Sequence, residues 1–368
     1  MGIHADHAAI SPWPEAAAEA VRNFADENLA QGARGYAAWL SREKRLRERV
    51  AGMLNALTPG DIAFTRNTSE GVCIVANGID WRPGDNVVTP AGEFPTNRLA
   101  WDSLGSAGVD IRRVDIRAAE DPEVALINAM DGRTRVLTVS SVQWQDGFRL
   151  RLPVLGAQCR AAGVLFFVDA IQEFGALRMD VRASGIDCLS AGSHKWQMGP
   201  EGMAVFYSTP GARSSLRLAQ FGWRMLERPY RHEMPDRPCA ESASRFETGS
   251  PNMLGQAALD ASTGLLHDVG MHEVERRVLD NTRRLLEGIH AIPGLEPVSN
   301  TADERLSGIV AYRHDRLDTR EMLSSLRSAG VTAAVRAGAI RLSPHFYQYA
   351  RQIDALLEAM ERAAKANK

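Results

Sequence analysis

The chain has little cysteine, and what it has is scattered: Cys73, Cys159, Cys188 and Cys239 among 368 residues. No two form a CxxC pair, which excludes a disulfide framework and the usual zinc-site spacing. Reduced thiols of a cytoplasmic protein are the expectation. No run of about 18 uncharged apolar residues occurs, so no membrane span is expected. Charge of neither sign dominates: 43 basic residues against 45 acidic leave a formal net charge of −2. That balance gives no basis for a nucleic-acid partner or an anionic membrane surface. The opening MGIHADHAAISPWPEAA lacks the basic start and apolar run of a signal peptide, and Asp6 stands where a myristoylation motif needs Ser or Thr. Neither GxGxxG nor GxxxxGK(S/T) follows an early strand, which argues against a nucleotide-binding α/β protein. There is no internal repeat and no low-complexity tract. His4 and His7 read HxxH, but two isolated histidines near a terminus are more often solvated than ligating, so no metal is expected.

What is present is ordinary globular composition, 45% hydrophobic and 24% charged, in a chain long enough for one large unit and a smaller one. The stretch 15–49 reads as helical, interrupted at Gly32 to Gly35. From residue 60 short apolar runs alternate with amphipathic stretches. The runs 62–65, 86–89, 111–114, 135–139, 164–168, 188–191 and 203–207 are strand candidates, with helices at 69–77, 123–130 and 155–162 between some of them. That alternation predicts a mostly parallel sheet covered on both faces. The stretch 212–251 is rich in Arg, Pro and Ser and reads as an ordered, loop-bearing connection. Beyond it, helices at 256–267, 272–289, 319–328 and 352–364 and strands at 307–312 and 339–342 suggest a smaller α+β unit. The expected division is a large α/β domain at 16–250 and a small α+β domain at 251–368, joined by residues 1–15.

Three clusters carry candidate chemistry. Leu165 to Asp169 is a buried strand ending in an acid, at the end of a strand where open α/β sheets bind ligands. Taken alone, Asp169 reads as the cap of the next element. Asp187 to Gly192 is a second strand, followed by Ser193, His194, Lys195 and Trp196. A lysine among small and apolar residues past a core strand is costly to desolvate. Desolvation lowers its pKa, and such an amine forms Schiff bases with aldehydes. The alternative is a lysine on a surface loop. Third, Phe64 to Gly71 feeds a helix that Asn67 caps, with Glu70 completing a capping-box pair. Its free N–H groups with the Thr68 and Ser69 hydroxyls can bind a phosphate, although capping alone also explains the pattern. Together the clusters offer a phosphate anchor, a carboxylate and an amine, the set that pyridoxal 5′-phosphate (PLP) needs.

The segments TRNTSEGVCIVANGI, AGEFPTNRLAW, SSVQWQDGFRLRL, VDAIQEFGALRMDV, AGSHKWQMGPEGMAVFY, RFETGSPN and IRLSPHFYQ resemble, in order, the class V aminotransferases. That group includes cysteine desulfurases, isopenicillin-N-epimerase-like proteins and, more distantly, kynureninase. The resemblance covers nearly the whole chain, and its most specific pieces are VDxxQ and SHKW at this spacing. It implies a PLP-dependent transferase of fold type I, aspartate-aminotransferase-like. In this resemblance Lys195 forms the Schiff base and moves the α-proton, and Asp169 keeps the pyridine nitrogen protonated. Gln172 bonds the phenolic oxygen, Phe94 stacks on the ring, and Thr68, Ser69, Ser193 and His194 hold the phosphate. Thr248 and Gly249 reach a partner subunit's phosphate, which implies a homodimer. Arg341 grips the substrate α-carboxylate, and Trp144, Gln143, Trp223 and His345 are candidate pocket residues, with packing the other reading for each.

The chain departs from the desulfurases in one respect. Their sulfur-attacking loop cysteine lies shortly before the carboxylate-binding arginine, and residues 324–340 contain none. Aminotransfer from an α-amino acid to a 2-oxo acid is therefore the first expectation, because it asks only for proton movement by Lys195. Carbon–sulfur β-lyase or epimerase chemistry is the alternative. A catalytically silent binding protein is the non-enzyme alternative, opposed by the joint presence of Lys195, Asp169 and Arg341.

Overall fold

The short apolar runs become the strands of a central sheet in a computed structural model that describes residues 2–234 and 237–366. The chain opens with β1 (Ile3–His4), then helices α1 (Glu15–Gln31) and α2 (Tyr36–Leu54), joined by a 3-10 turn at Gly32–Gly35. The alternating region follows: β2 (Ile62–Thr65), α3 (Thr68–Gly78), β3 (Asn86–Pro90), α4 (Thr96–Asp102), β4 (Asp110–Val114), α5 (Pro122–Asn128) and β5 (Thr134–Ser140). It continues with α6 (Leu152–Ala162), β6 (Leu165–Asp169), β7 (Cys188–Gly192), β8 (Ala204–Ser208) and α7 (Pro210–Ser215). After a largely irregular stretch come α8 (Met253–Val269), α9 (Met271–Ala291), β9 (Leu295–Pro297), β10 (Val310–His314) and α10 (Thr319–Ser328). The last elements are β11 (Val331–Thr332), β12 (Ala334–Arg336), β13 (Ala339–Leu342) and α11 (Ala350–Ala366). No described helix is long and apolar enough to cross a membrane.

Seven strands form the main sheet in the order β2-β8-β7-β6-β5-β3-β4, and only β8 runs against its neighbours. Its inner strands are apolar on both faces because both are covered, while β4 at the edge, DIRRV, is half exposed. Phe166 and Val168 pack with Leu46, Val50 and Leu54 of α2 and Leu155 of α6. Phe167 and Cys188 pack on the other side with Val72 and Val75 of α3 and Trp101 of α4. The parallel register sets Ser140, Asp169 and Ser190 side by side at the carboxyl edge. A second, antiparallel sheet of order β12-β13-β10-β9 rests on α9, α10 and α11 through Leu326, Ile340, Tyr312 and Ile353. The first residues reach this region too: β1 pairs in parallel with β11, and Asp6 bridges to Ser343.

Two elements differ from the sequence pattern. The strand expected at 307–312 begins at Val310, because Ser307 is diverted: its hydroxyl donates to Gly147 O at 2.8 Å and its carbonyl accepts from Thr282. Asn67 does cap α3, accepting from Glu70 N at 2.9 Å, but the Glu70 carboxylate reaches back to Arg66 N instead of the cap residue.

The irregular stretch is held by buried charge. Arg224 pairs with Glu43 of α2 and, at 3.2 Å, with Glu247, while Arg47 bonds the same two glutamates at 2.7 and 2.8 Å. Glu247 also accepts from Phe64 N at 2.9 Å, so β2 is tied in. The Arg224, Glu43 and Glu247 side chains are each under a tenth exposed. Removing one cation leaves two buried carboxylates sharing one arginine. Arg224→Ala is expected to cost roughly 3 kcal/mol or more, read as a lowered urea midpoint; a loss within about 0.5 kcal/mol, the range of an ordinary surface substitution, would mean that the network carries no stability.

Candidate active site

The carboxyl edge of the main sheet and the β12–β13 hairpin enclose a cavity of about 400 Å³, lined among others by Thr68, Phe94, Asp169, Lys195, Arg336 and Arg341. Its volume lies within the range typical of small-molecule sites. Asp169 ends β6, with its Oδ1 accepting from Ile171 N at 3.0 Å. Burial is the main cause that raises its carboxyl to about 7, and nearby Glu93 adds to the rise. Lys195 lies three residues past β7. Burial pulls its amine down to about 8 against the attraction of Asp169. Among the described residues Nζ has no hydrogen-bond or carboxylate partner, and it lies 5.6 Å from the centre of the Phe94 ring.

The backbone at Lys195 is fixed by its neighbour. The Trp196 indole is fully buried, and its Nε1 donates to Gln172 Oε1 at 3.0 Å. The Trp196 carbonyl meets His345 Nε2 at 2.9 Å. Glycine is required on both sides: a Cβ at Gly308 would fall 2.3 Å from the indole, and one at Gly175, where φ is +100°, would fall 2.5 Å from the Trp196 carbonyl oxygen. Gln172 is thereby engaged at both ends, since its Nε2 donates to Ala8 O at 3.1 Å; one amide hydrogen remains for a ligand.

At the α3 end, Thr68 Oγ1 accepts from Gly192 N at 2.9 Å, which leaves its own proton free to donate. Ser69 Oγ lies 2.9 Å from Thr96 Oγ1. His194 lines the cavity, its imidazole pulled down by burial and by Lys195. The 40% exposed Phe94 ring and Trp144 meet edge to face with centroids 5.5 Å apart. Arg341 is almost fully buried: it bonds Asp6 at 2.9 Å and Trp144 O at 2.9 Å, while its Nε is buried without a partner.

The remaining expected residues lie outside the cavity lining. Ser193 is buried with its hydroxyl on Pro200 O at 2.5 Å, because the turn after β7 folds it inward. His345 backs Trp196 from behind, and Gln143 is turned to Glu93. Trp223 packs on Tyr230 and His232, and Thr248 lines a separate small cleft with Arg245; Gly249 follows it. His7 is buried between Ser343 O and Tyr347, and His4 bonds Ile10 O. Among the described residues, no cluster of His, Cys, Asp and Glu is arranged to hold a metal.

Three residues escaped the sequence reading. Glu93 is buried beside Asp169, accepting from Ser140 N at 2.7 Å, and burial raises its carboxyl. Asp6 and Arg336 complete the charges around Lys195. Asp6 had a signal, since it lies in the DHAA segment whose neighbours are apolar; Arg336 had none.

The Asp169 carboxyl is raised from 3.8 to about 7, so folding takes up a proton at this group between those values. Its contribution must therefore fall as pH rises from 4 to 7, with no change below. Comparing urea midpoints of the apoprotein and Asp169→Asn across pH 4–8 is expected to give a widening gap in favour of the variant. A gap independent of pH would mean that the carboxyl is ionised throughout.

A family model for aminotransferase class-V matches residues 3–358. A probable cysteine desulfurase of Methanothermobacter thermautotrophicus is 29% identical over 98% of this chain and 94% of its own length. A solved complex of the cystine C–S lyase C-DES with its reaction product, cysteine persulfide, superposes with a TM-score of 0.90 at 22% identity, covering 98% and 97% of the two chains. A C-DES mutant with glycine covalently linked to its PLP cofactor gives 0.91 at 23% identity, covering 98% and 96%. These structures share the fold, that of PLP-dependent enzymes of fold type I. The chain belongs to the class-V aminotransferase family and is a PLP-dependent enzyme of that family.

Proposed function

We propose that this enzyme cleaves the carbon–sulfur bond of a sulfur-containing α-amino acid by β-elimination, instead of passing the amino group to a 2-oxo acid. The observation that carries this reading is end-to-end similarity to a probable cysteine desulfurase, with further support from the likeness to a C–S lyase fold. Aminotransfer, the first expectation from the sequence, has no comparable support. Persulfide transfer to an enzyme thiol is disfavoured, because no cysteine is among the described residues lining the cavity. Cys159 and Cys188 are buried and their thiols are pushed up, Cys159 to about 12. Such thiols are inert at neutral pH.

The residues present fit PLP. Lys195 would hold its aldehyde carbon, Asp169 its ring nitrogen, Gln172 its phenolic oxygen and Phe94 its ring face. Thr68, Ser69 and His194 would take the phosphate, with Ser193 bracing the turn. Bound PLP supplies an electron sink for the carbanion left when the substrate loses its α-proton. The amine of Lys195, brought near neutrality, is suited to accept that proton. Arg341 would grip the α-carboxylate, using the unpartnered Nε and exchanging part of its Asp6 contact. The Cβ–S bond then breaks with the electron pair going to sulfur. A thiol leaves readily, with a pKa of about 8.5, so no strong acid is required opposite it. Water completes the reaction to a 2-oxo acid and ammonia. Epimerisation would need an acid on the face opposite Lys195, and among the described residues lining the cavity the remaining titratable groups, Asp169 and His194, are already assigned to the cofactor. Thr248 and Gly249, which lie outside their own cavity, would serve a second subunit's phosphate in a homodimer.

The reaction is tested by adding S-substituted cysteines to the PLP-loaded enzyme while following its visible absorbance. Thiol, ammonia and 2-oxo acid released together, with the cofactor band returning, support elimination; a lasting bleach with 2-oxo acid and no ammonia means aminotransfer. Lys195→Ala is expected to abolish turnover and the covalent cofactor band while the far-ultraviolet circular dichroism stays that of the parent. Retained turnover would remove Lys195 from the chemistry. Arg341→Ala is expected to raise KM by at least about a hundredfold, near 3 kcal/mol for a charge-assisted bidentate contact, with cofactor affinity little altered. An unaltered KM would move the carboxylate site elsewhere.

A further inference from the structure

Arg341 is not the only guanidinium at the cavity. Arg336 lines it as well, at the end of β12. The hairpin register explains why the two face the same way. Ala334 pairs with Arg341 and Arg336 with Ala339, so Arg336 and Arg341 are diagonal neighbours on one face of the ladder. The turn between the strands is tight and fixed: Ala337 and Gly338 both have positive φ, +47° and +77°. Gly338 O also accepts from Thr319 Oγ1 at 3.0 Å, which braces the turn against α10. Arg336 is therefore presented by a rigid element.

Its charge, unlike that of Arg341, is uncompensated. Arg341 has Asp6 at 2.9 Å. Arg336 has no carboxylate within 4 Å among the described residues, and the one side-chain hydrogen bond found for it goes to the adjacent Val335 O at 2.9 Å. Its charge bears on both Lys195 and Arg341. Two guanidiniums and an amine share one half-enclosed space with the carboxylates of Asp169 and Asp6; Asp6 is taken by Arg341, so a further anion beside Arg336 would lower the remaining repulsion. The cofactor phosphate is provided for at the start of α3, and the α-carboxylate accounts for Arg341. One cationic site is left over.

We infer that Arg336 binds a second anionic group on the substrate, located on its side chain beyond the sulfur. This rests on the reading that Arg341 takes the α-carboxylate of a C–S lyase substrate. The substrate class is then an S-substituted cysteine whose substituent ends in a carboxylate or a comparable anion, a disulfide-linked amino acid included. The elimination itself is unaltered: the Cβ–S bond breaks, and the departing thiol carries the anion away with it.

The test compares two substrates of nearly equal size, S-carboxymethyl-L-cysteine and S-ethyl-L-cysteine, on PLP-loaded parent enzyme and on Arg336→Gln. The parent is expected to favour the carboxymethyl compound in kcat/KM by at least about tenfold. The variant is expected to lose most of that preference. A preference absent from the parent, or kept in the variant, overturns the inference. If the variant instead weakens PLP affinity with the preference kept, Arg336 serves the phosphate and the inference is again overturned. A binding measurement separates this proposal from the reaction it builds on. L-glutamate and L-norvaline are titrated against tryptophan fluorescence, Trp144 being in the cavity wall. Tighter binding of glutamate that depends on Arg336 upholds the second anion site even where neither cysteine derivative is cleaved, in which case only the elimination reading falls. Equal binding of the two in the parent removes the site.

Discussion

The burial of one indole organises the site. Trp196 follows Lys195 directly, and its ring is enclosed with Gly308 on one side and His345 behind it. Its one polar atom is satisfied by Gln172, the third residue past Asp169. The Lys195 loop, the end of β6 and the C-terminal part of the chain are thus locked through a single side chain. Nothing larger than glycine fits at 308 or 175, so the loop has little freedom to carry Lys195 away. Gln172 extends the lock to the N-terminal segment through Ala8. Preorganisation of this kind is what a reactive amine requires, because a small displacement costs much of its effect.

On that frame the chain sets charges that oppose stability. Asp169, Glu93 and Arg341 are buried and Lys195 is half-buried, and burial is the largest cause acting on each. An apolar site would be more stable without them. Their joint presence makes sense as a standing field into which a zwitterionic amino acid and an anionic cofactor fit. Glu93 has a definite part in this. It is bonded to Ser140, the β5 neighbour of Asp169, and its charge helps to raise the Asp169 carboxyl. Opposite, Asp6 keeps Arg341 compensated, and in the proposed reaction a substrate carboxylate would take over part of that contact.

Much of this architecture was legible in the sequence, for identifiable reasons. The inner strands of the main sheet were visible as apolar runs, because a strand covered on both faces must be apolar throughout, whereas the edge strand β4, DIRRV, is half exposed and showed itself only by its place in the alternation. Lys195 stood out because a lysine among small and apolar residues past a core strand is costly to desolvate, and Asp169 gained weight only beside it, since an acid ending a strand is an ordinary cap. The invisible residues depend on contacts distant in sequence. Asp6 and Arg341 are 335 positions apart, and Glu43, Arg224 and Glu247 meet only after α2 and the irregular stretch have packed. Ser193 read as a phosphate ligand and His345 as either a pocket or a packing residue, and the structure turns both inward, Ser193 to Pro200 O and His345 to Trp196 O. Spacing along the chain cannot separate a residue that faces the cavity from one that holds it up.

The same limit bears on reaction type. Elimination and aminotransfer would both begin with transfer of the α-proton to the proposed base Lys195, so Lys195, Asp169 and Arg341 do not distinguish them. What distinguishes them lies beyond the α-carbon: whether the site accommodates a leaving group and what that group carries. A transaminase has to return its substrate's side chain intact, and a lyase has to let part of it depart. A rigid hairpin that presents Arg336, a cation without a carboxylate partner among the described residues, diagonally across the ladder from Arg341 would suit the second requirement. It can fix a charged substituent during bond breaking and, once the thiol is free, hold it by one contact instead of two. Release is then faster than for the intact substrate, which keeps both anions on one molecule. Selectivity and product release would thus follow from the same guanidinium.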